Sequence, residues 1–422
     1  MQLSWCRSAL YVMVLGWQAM AGAAEADPLT WRWTPTWRTL EAAVGQYAQA
    51  QRWRTPAQRE AVADMNKRAT DLAALGTYRV FTGDEAGAMR AMDASAVMRG
   101  ETAASEAADL TALDGAEPVE ALAAIVEEAR SHQIVMLNEA HHVQMNRAFG
   151  MLLARELKKI GFEVLAFEAV YQAPAPGAPI LGKAGFYARD PQLANFLREA
   201  GANGWRIISY DNEIEQSDNG KVPFQLWRET TAAQQILKKS IKNGRQQKVF
   251  IYAGYSHIAE QPDRKGQTWL ARLIKQSSGI DPLTIDQSGF FAHPEPEDEQ
   301  PLYAQIPGIG TSGLPFVLKR GAHSYAVLGD YAGRVDMQVF FPRALSAPGV
   351  GGRSGWRSTL LGLTPRAIPA ALLPANGQRV VSAFKKNETV AATPVDSVLV
   401  EAGKTPPSFM LPPGDFYFRV KQ

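Results

Sequence analysis

The sequence predicts an α/β protein: a mostly parallel sheet with helices on both faces, preceded by a helical region and followed by a small β-rich domain. Three observations predict it. Between residues 130 and 295, short apolar runs (IVML, FEVLAFEA, WRIISYD, KVFIYAG, PLTIDQS) alternate with amphipathic stretches such as VQMNRAFGMLLARELKKIG and DPQLANFLREAGANG. Apolar runs of that kind, separated by helix-length segments, are the pattern of strands buried on both faces by crossover helices. Ahead of them, residues 27–130 are alanine-rich, with apolar positions at three- and four-residue steps. Beyond residue 295 the helical period fades, and short strand-like runs separated by Pro and Gly replace it.

At the N-terminus, Arg7 and the apolar ALYVMVLGWQAM precede small residues in the order of a secretory signal, with cleavage after Ala23 or Ala26. Residues 1–26 are therefore expected to leave a mature chain that is periplasmic or secreted. The apolar run is shorter than the roughly 20 residues of a membrane span. No later segment reaches that length without charges, so no transmembrane segment is expected after signal removal. Cys6, the only cysteine, lies inside the signal. A mature chain without thiols has no disulfide, thiolate metal site or cysteine nucleophile. A net charge of +2 over 422 residues gives no general field for nucleic acid or anionic membrane. The expected partner is a small-molecule substrate or ligand, and no feature of the sequence sets an oligomeric state.

Within residues 27–130, TLEAAVGQYAQAQRW, PAQREAVADMNKRATDLAALGTYRVF and DEAGAMRAMDASAVM predict helices, with Gly83-Asp84 as the turn between the last two. LTWRWTPTWR, at 29–38, reads as an arm whose tryptophans pack on this helical layer. The α/β domain occupies 131–295, extending to about 345 if PFVLKR, YAVLGD and VDMQVFF complete its sheet. Inside it, Asp190 and Pro191 have the residue types of a helix N-cap and first helical position. GVGGRSG, at 349–355, reads as a flexible loop. It lies at the start of a β-rich domain at 346–422 whose strands are RVVSAF, SVLVEAG and DFYFRVKQ.

Open parallel sheets bind ligands beyond the carboxyl ends of their strands. There the first strand delivers Glu139 and His142, the second Glu168, the third Asp211, and the fourth Gly254 followed by His257. Glutamate and histidine together activate water by general-base catalysis, while a second acid or imidazole protonates a leaving group. Glu139, His142, Glu168 and His257 are equally a sufficient ligand set for a divalent metal. Of the adjacent histidines, His142 is favoured over His141 by its three-residue offset from Glu139. Arg147, one turn into the next helix, is placed to hold a carboxylate or an oxyanion, and Asp211 joins it as a substrate-binding candidate. GYSHI approaches a G-x-S-x-G elbow, but Ile258 replaces the final glycine, so His257 rather than Ser256 carries that segment. His132, His293 and His323 fall outside the pattern.

At these residues the sequence resembles the superfamily of erythromycin esterases and ChaN-like haem-binding lipoproteins, with TIKI/TraB-type proteases as more distant relatives. The family pattern is a strand ending in Gly-Glu, a histidine three residues later, a helix, a strand ending in glutamate, and a late strand followed by histidine. Glu139, His142, Glu168 and His257 match it in order. LWRETTAAQQI is similar to the family's arginine-led helix and marks Arg228 as a substrate-binding residue. GQTWLARLIKQSSGIDPLTI is similar to the helix and strand that close the family domain. The resemblance covers about residues 130–295. Asn138 stands where the family usually has glycine, and asparagine is expected to keep a left-handed turn there. The resemblance implies an exported hydrolase that activates water with this Glu/His set, without a cofactor, to cleave an ester or lactone. Its other branches imply a haem- or metal-binding protein without catalysis, or a peptidase that uses the same four residues to hold a divalent metal.

Overall fold

The computed structural model describes residues 58–99, 110–211, 222–263 and 266–421. The expected secretory signal, the tryptophan-rich arm and the helix expected at 39–53 lie outside the described residues. The first elements are helices α1 (Gln58–Phe81) and α2 (Glu85–Met98). Gly83 turns the chain between them at φ +74°, and Asp84 caps α2 by accepting from the Gly87 amide at 3.0 Å. A side chain at position 83 would also collide with the Ser397 carbonyl 2.0 Å away, so the turn is pressed against the C-terminal part of the chain.

The central sheet then forms. In chain order its elements are β1 (Glu117–Glu120), α3 (Ala121–Ala129), β2 (Ile134–Glu139), α4 (Gln144–Lys159), β3 (Phe162–Phe167), α5 (Pro191–Ala202) and β4 (Arg206–Ser209). They continue with α6 (Phe224–Lys239), β5 (Lys248–Gly254), α7 (Leu270–Ser278), β6 (Leu283–Phe290), β7 (Phe316–Gly321) and β8 (Met337–Phe340). Across the sheet the order is β1-β7-β8-β6-β2-β5-β3-β4. The strands from β8 to β4 are parallel, while β7 and β1 close one edge in antiparallel pairing. Strand β1 lies in the region whose composition reads as helical. Its sequence, EPVE, has Pro118 and no run of apolar residues, as an edge strand permits.

Alternate residues of each central strand feed opposite cores. Val135, Leu137, Leu165, Phe167 and Phe250 pack with Ile125 of α3, Phe149 and Leu153 of α4, and Phe196 of α5. Ile134, Met136, Val164, Ala166 and Ile251 pack with Ile236 of α6 and Ile274 of α7. The chain therefore steps from β2 to β4 with its helices on one face and returns to β6 with its helices on the other. Because of that return, β5 is inserted between β2 and β3. This places Gly254 between Glu139 and the end of β3.

Asn138 does not make the left-handed turn expected of it. It is extended, fully buried in β2 and paired with Ala253 of β5. Its side chain instead ties β2 to β6: Oδ1 accepts from the Gln287 amide at 2.7 Å, and Nδ2 donates to Asp286 Oδ1 at 2.7 Å. Gln287 returns a bond from Nε2 to the Asn138 carbonyl at 2.6 Å. Asn146, bonded to the Gln287 carbonyl at 3.0 Å, accepts from Ala140 N at 3.0 Å and so fixes the turn after Glu139.

The C-terminal unit is a three-stranded antiparallel sheet, order β10-β9-β12, from β9 (Gln378–Lys385), β10 (Asp396–Glu401) and β12 (Phe416–Lys421). Strand β11 (Phe409–Leu411) pairs with Thr364–Arg366. The segment GVGGRSG, expected to be a flexible loop, is clamped. Buried Arg353 forks onto Asp396 at 2.9 and 3.2 Å, and Ser354 donates to Glu85 of α2 at 3.0 Å. Glycine content suggested mobility, but the one arginine within the run anchors it.

Asn138→Leu keeps roughly the volume and orphans the Gln287 amide, while Asp286 Oδ1 keeps its bonds from Ser288. A loss of about 2–3 kcal/mol of unfolding free energy is expected by urea titration. A loss below about 0.5 kcal/mol would show that the β2–β6 polar tie contributes little.

Candidate functional site

Strand β2 ends by delivering Glu139, 3% exposed, into a buried cluster. Arg147, fully buried one turn into α4, donates from Nε to Glu139 Oε2 at 2.9 Å and from Nη2 to Oε1 at 2.8 Å. The same Nη2 reaches the His141 carbonyl at 2.8 Å. His141 Nδ1 lies 2.8 Å from Glu139 Oε1, and its ring stacks on Tyr187 with centroids 4.3 Å apart. Burial opposes ionisation of Glu139, but the charge and hydrogen bonds of Arg147, with those of His141, hold its carboxyl down at about 2.

A second cluster lies on the other side of β5. Glu168, just beyond β3, accepts from Arg228 Nη2 at 2.6 Å and from the Gly254 amide. His257 follows β5 in a short turn (Tyr255–Ile258), with Nε2 3.2 Å from Glu168 Oε1 and 3.2 Å from Arg228 Nη1. Its Nδ1 is 2.7 Å from Glu229 Oε2, and Gln225 holds the other Glu229 oxygen at 2.6 Å. Burial disfavours charge on His257, but the two carboxylates outweigh it and lift the imidazole to about 10. Glu168 is held well below the usual carboxylate range against its own burial, by His257 first and then Arg228. Asp211, after β4, accepts from the Ala169 amide at 2.9 Å, and burial raises it to about 6 against the pull of Arg228. Ala169 sits at φ +54°, so the bond to Asp211 holds a backbone turn at the edge of the site.

Gly254 separates the two clusters, and its lack of a side chain lets them approach. A Cβ there would lie 2.4 Å from His141 Cε1, 2.5 Å from His141 Nε2 and 3.1 Å from Glu168 Oε2. Glu139, His141, Glu168, Tyr187, Tyr252 and Gly254 are among the residues lining a cavity with about 10 Å³ of room, enough for one water molecule. Among the described residues, no group of three or more His, Cys, Asp or Glu is arranged to hold a metal ion. Glu139 and Glu168 line this cavity, and His257 stands behind Glu168 at 3.2 Å, whereas His142 is not among its lining residues.

His142 is the main correction to the sequence reading. A three-residue offset from Glu139 assumes that the helix starts at the strand end, whereas α4 begins only at Gln144 and residues 140–143 form a turn. The turn brings His141 back onto Glu139, with Nδ1 2.8 Å from its Oε1. His142 points elsewhere, edge-on to Phe291, with Nδ1 buried and without a hydrogen-bond partner among the described residues. Burial, with lesser effects of His293, His141 and Arg147, lowers it to about 3. Arg147, expected to meet substrate, is fully buried, with Nε and Nη2 committed to Glu139 and the His141 carbonyl. Arg228 and Asp211 do lie at the site, with side chains 11% and 8% exposed. His141, Tyr187, Asp190 and Glu229 belong to the site although the strand-end pattern does not mark them. For Glu229 the available signal was its place next to Arg228 on the arginine-led helix.

Two outcomes are expected. Unfolded, His142 takes a proton near pH 6.5, whereas folded it stays neutral down to about 3. Unfolding between these values takes up a proton, so this group's contribution to stability is lost as pH drops below about 6.5, by up to about 1.4 kcal/mol per pH unit. His142→Phe should flatten the acid slope of urea-derived stability by one proton, and an unchanged slope would refute a neutral buried imidazole. Gly254→Ala should push the His141 ring off Glu139, costing about 1–3 kcal/mol by overpacking. A variant crystal structure with the His141–Glu139 bond intact would contradict that.

No family model matches the chain, and no curated protein matches it. Among solved structures it is similar to RRSP, a MARTX toxin effector domain from Vibrio vulnificus CMCP6, at 16% identity and a TM-score of 0.26. That match covers 63% of this chain and 49% of that one. A structure titled bacterial protein toxins matches at 16% identity and a TM-score of 0.28, covering 54% of this chain and 46% of that one. The chain spans about half the length of each, and likeness at that level carries no argument about function.

Proposed function

We propose that the chain is a hydrolase in which Glu139 and His141 activate a water molecule to cleave an ester or lactone. The observation that carries this reading is the water-sized cavity bounded by His141, Glu168 and Gly254. Ionised Glu139 accepts at His141 Nδ1, so Nδ1 carries the proton and Nε2 presents its lone pair. A water in the cavity passes a proton to Nε2 as its oxygen attacks a carbonyl carbon, and Glu139 stabilises the imidazolium that forms. Arg147 keeps Glu139 an anion and oriented.

Arg228 and protonated His257 supply positive charge to the oxyanion of the tetrahedral intermediate. His257 also suits the leaving group. With a pKa of about 10 it holds a proton at neutral pH and yields it to a more basic alkoxide. Once neutral, its Nε2 accepts from Arg228 Nη1, already 3.2 Å away. Both glutamates at the cavity are engaged by guanidinium groups, which supports water activation without a metal over a four-ligand metal site. The expected signal sequence would put this activity in the periplasm or outside the cell.

The test is a hydrolysis screen of the full chain on p-nitrophenyl esters and macrocyclic lactones, with and without chelator. Chelator-insensitive hydrolysis is expected. His141→Ala should lower kcat/KM by about 10³-fold, while His142→Ala stays within about threefold. Dependence on a chelatable metal, or full activity in His141→Ala, would sink the reading.

A further inference from the structure

We propose that Asp190 and Arg357 are positioning residues for the Glu139–His141 pair, so that the C-terminal part of the chain sets the geometry of the site. The kinetic part of this inference rests on the hydrolytic reading above. The structural part does not.

Arg147 is the group through which both residues act. Its Nε and Nη2 are committed to Glu139 and His141, and its Nη1 pairs with Asp190 Oδ1 at 3.1 Å. Nε and Nη2 fix the plane of the guanidinium through Glu139, and Asp190 holds its Nη1 end by charge, as an ion pair without hydrogen-bond geometry. Asp190, fully buried, also caps α5 by accepting from the Leu193 amide at 2.8 Å, which fixes its carboxylate in turn. Its second oxygen accepts from Gln144 Nε2.

Gln144 gives the chain of contacts a direction. An amide presents a donor at one end and an acceptor at the other. With Nε2 on Asp190 and on the Val80 carbonyl at 3.2 Å, Oε1 must face a donor. That donor is Arg357 Nη2, at 2.6 Å. Arg357 is buried, lies 4.5 Å above the Trp356 ring, donates from Nε to Glu85 of α2 at 2.9 Å, and lies 3.5 Å from Asp396 of β10. Arg353 forks onto that same Asp396, and Trp356 Nε1 donates to Glu85 at 2.8 Å. One continuous run of buried polar contacts therefore joins α2, β10, Gln144, Asp190, Arg147 and Glu139. A run of this kind transmits position because a neutral or misplaced member strands a buried charge, which is strongly unfavourable.

A separate contact offers a control. Arg198 of α5 ties the same C-terminal unit down through Glu388 at 2.9 and 2.8 Å, without touching the run.

The experiment compares Asp190→Asn, Arg357→Gln, Arg357→Lys and Arg198→Gln in the full chain. Asparagine keeps the cap oxygen at position 190, removes the charge and turns the acceptor that faces Gln144 into a donor. Each variant is checked for folding by thermal melt, assayed for kcat and KM, and examined by NMR of ¹⁵N-histidine-labelled protein for the His141 Nδ1 proton bonded to Glu139. kcat is expected to fall about tenfold in Asp190→Asn and about fivefold in Arg357→Gln, with KM within about twofold. Arg357→Lys should recover most of the loss. The His141 signal should move in the first two and stay in Arg198→Gln, which lowers only the melting temperature. An unmoved signal in folded Asp190→Asn and Arg357→Gln overturns the proposal, whatever the activity. If the wild-type chain hydrolyses nothing, the hydrolytic reading fails and the NMR comparison alone decides this one.

Discussion

Glu139 is withdrawn from water at the end of a buried strand, and Arg147 is what keeps it there as an anion. A carboxylate so placed otherwise takes up a proton or forces its strand end into solvent. The guanidinium fork satisfies both oxygens, and the adjoining His141 inherits a fixed acceptor at Nδ1. Much of the site's arrangement follows from this one pairing. It sets which face of His141 meets the cavity, and it leaves the opposite wall to a second pairing, Glu168 with Arg228. The two pairs are alike in chemistry and unlike in surroundings. Arg147 is fully enclosed by protein, whereas Arg228 remains partly open and faces the ionisable His257.

The sheet explains why two such pairs can share a few ångströms. Strand β5 is laid down after β2 and β3 yet lies between them, so the element separating Glu139 from Glu168 is the end of a later strand. Had that strand ended in any residue with a side chain, the His141 ring would have been displaced. Glycine here leaves space rather than supplying flexibility, since Gly254 itself is extended at φ −82°.

The parallel sheet was legible in the sequence because its central strands are buried on both faces and therefore read as continuous apolar runs. Glu139, Glu168 and His257 were legible for the same reason, as charges placed just past those runs. His141 was not, because a reading by helical offset needs the helix to start at once, and a turn held by Asn146 intervenes. Local sequence presents Asn138 as a backbone residue, although its side chain decides its role. Neither Asp190 nor Arg357 carried a site signal: the first was fully accounted for as a helix cap, and the second lies 218 positions from Glu139 in the numbering. Contacts of that range leave no trace in local periodicity.

The turn at Gly83 has a bearing on the order in which this chain becomes structured. Glu85, immediately after it, finds its partners Ser354, Trp356 and Arg357 only 269 to 272 residues further along. During synthesis the helical hairpin is made long before the groups that neutralise its partly buried acid. Its carboxylate must stay hydrated, and its face toward Ser397 uncovered, until nearly the whole chain exists. Such long-range closure is slow because the entropy of ordering the intervening chain is lost before the contacts form. Assembly of the Glu139 end of the site is thereby tied to the last segment made, and a chain cut short before residue 353 would keep the sheet's strands while lacking the far anchor of Arg147.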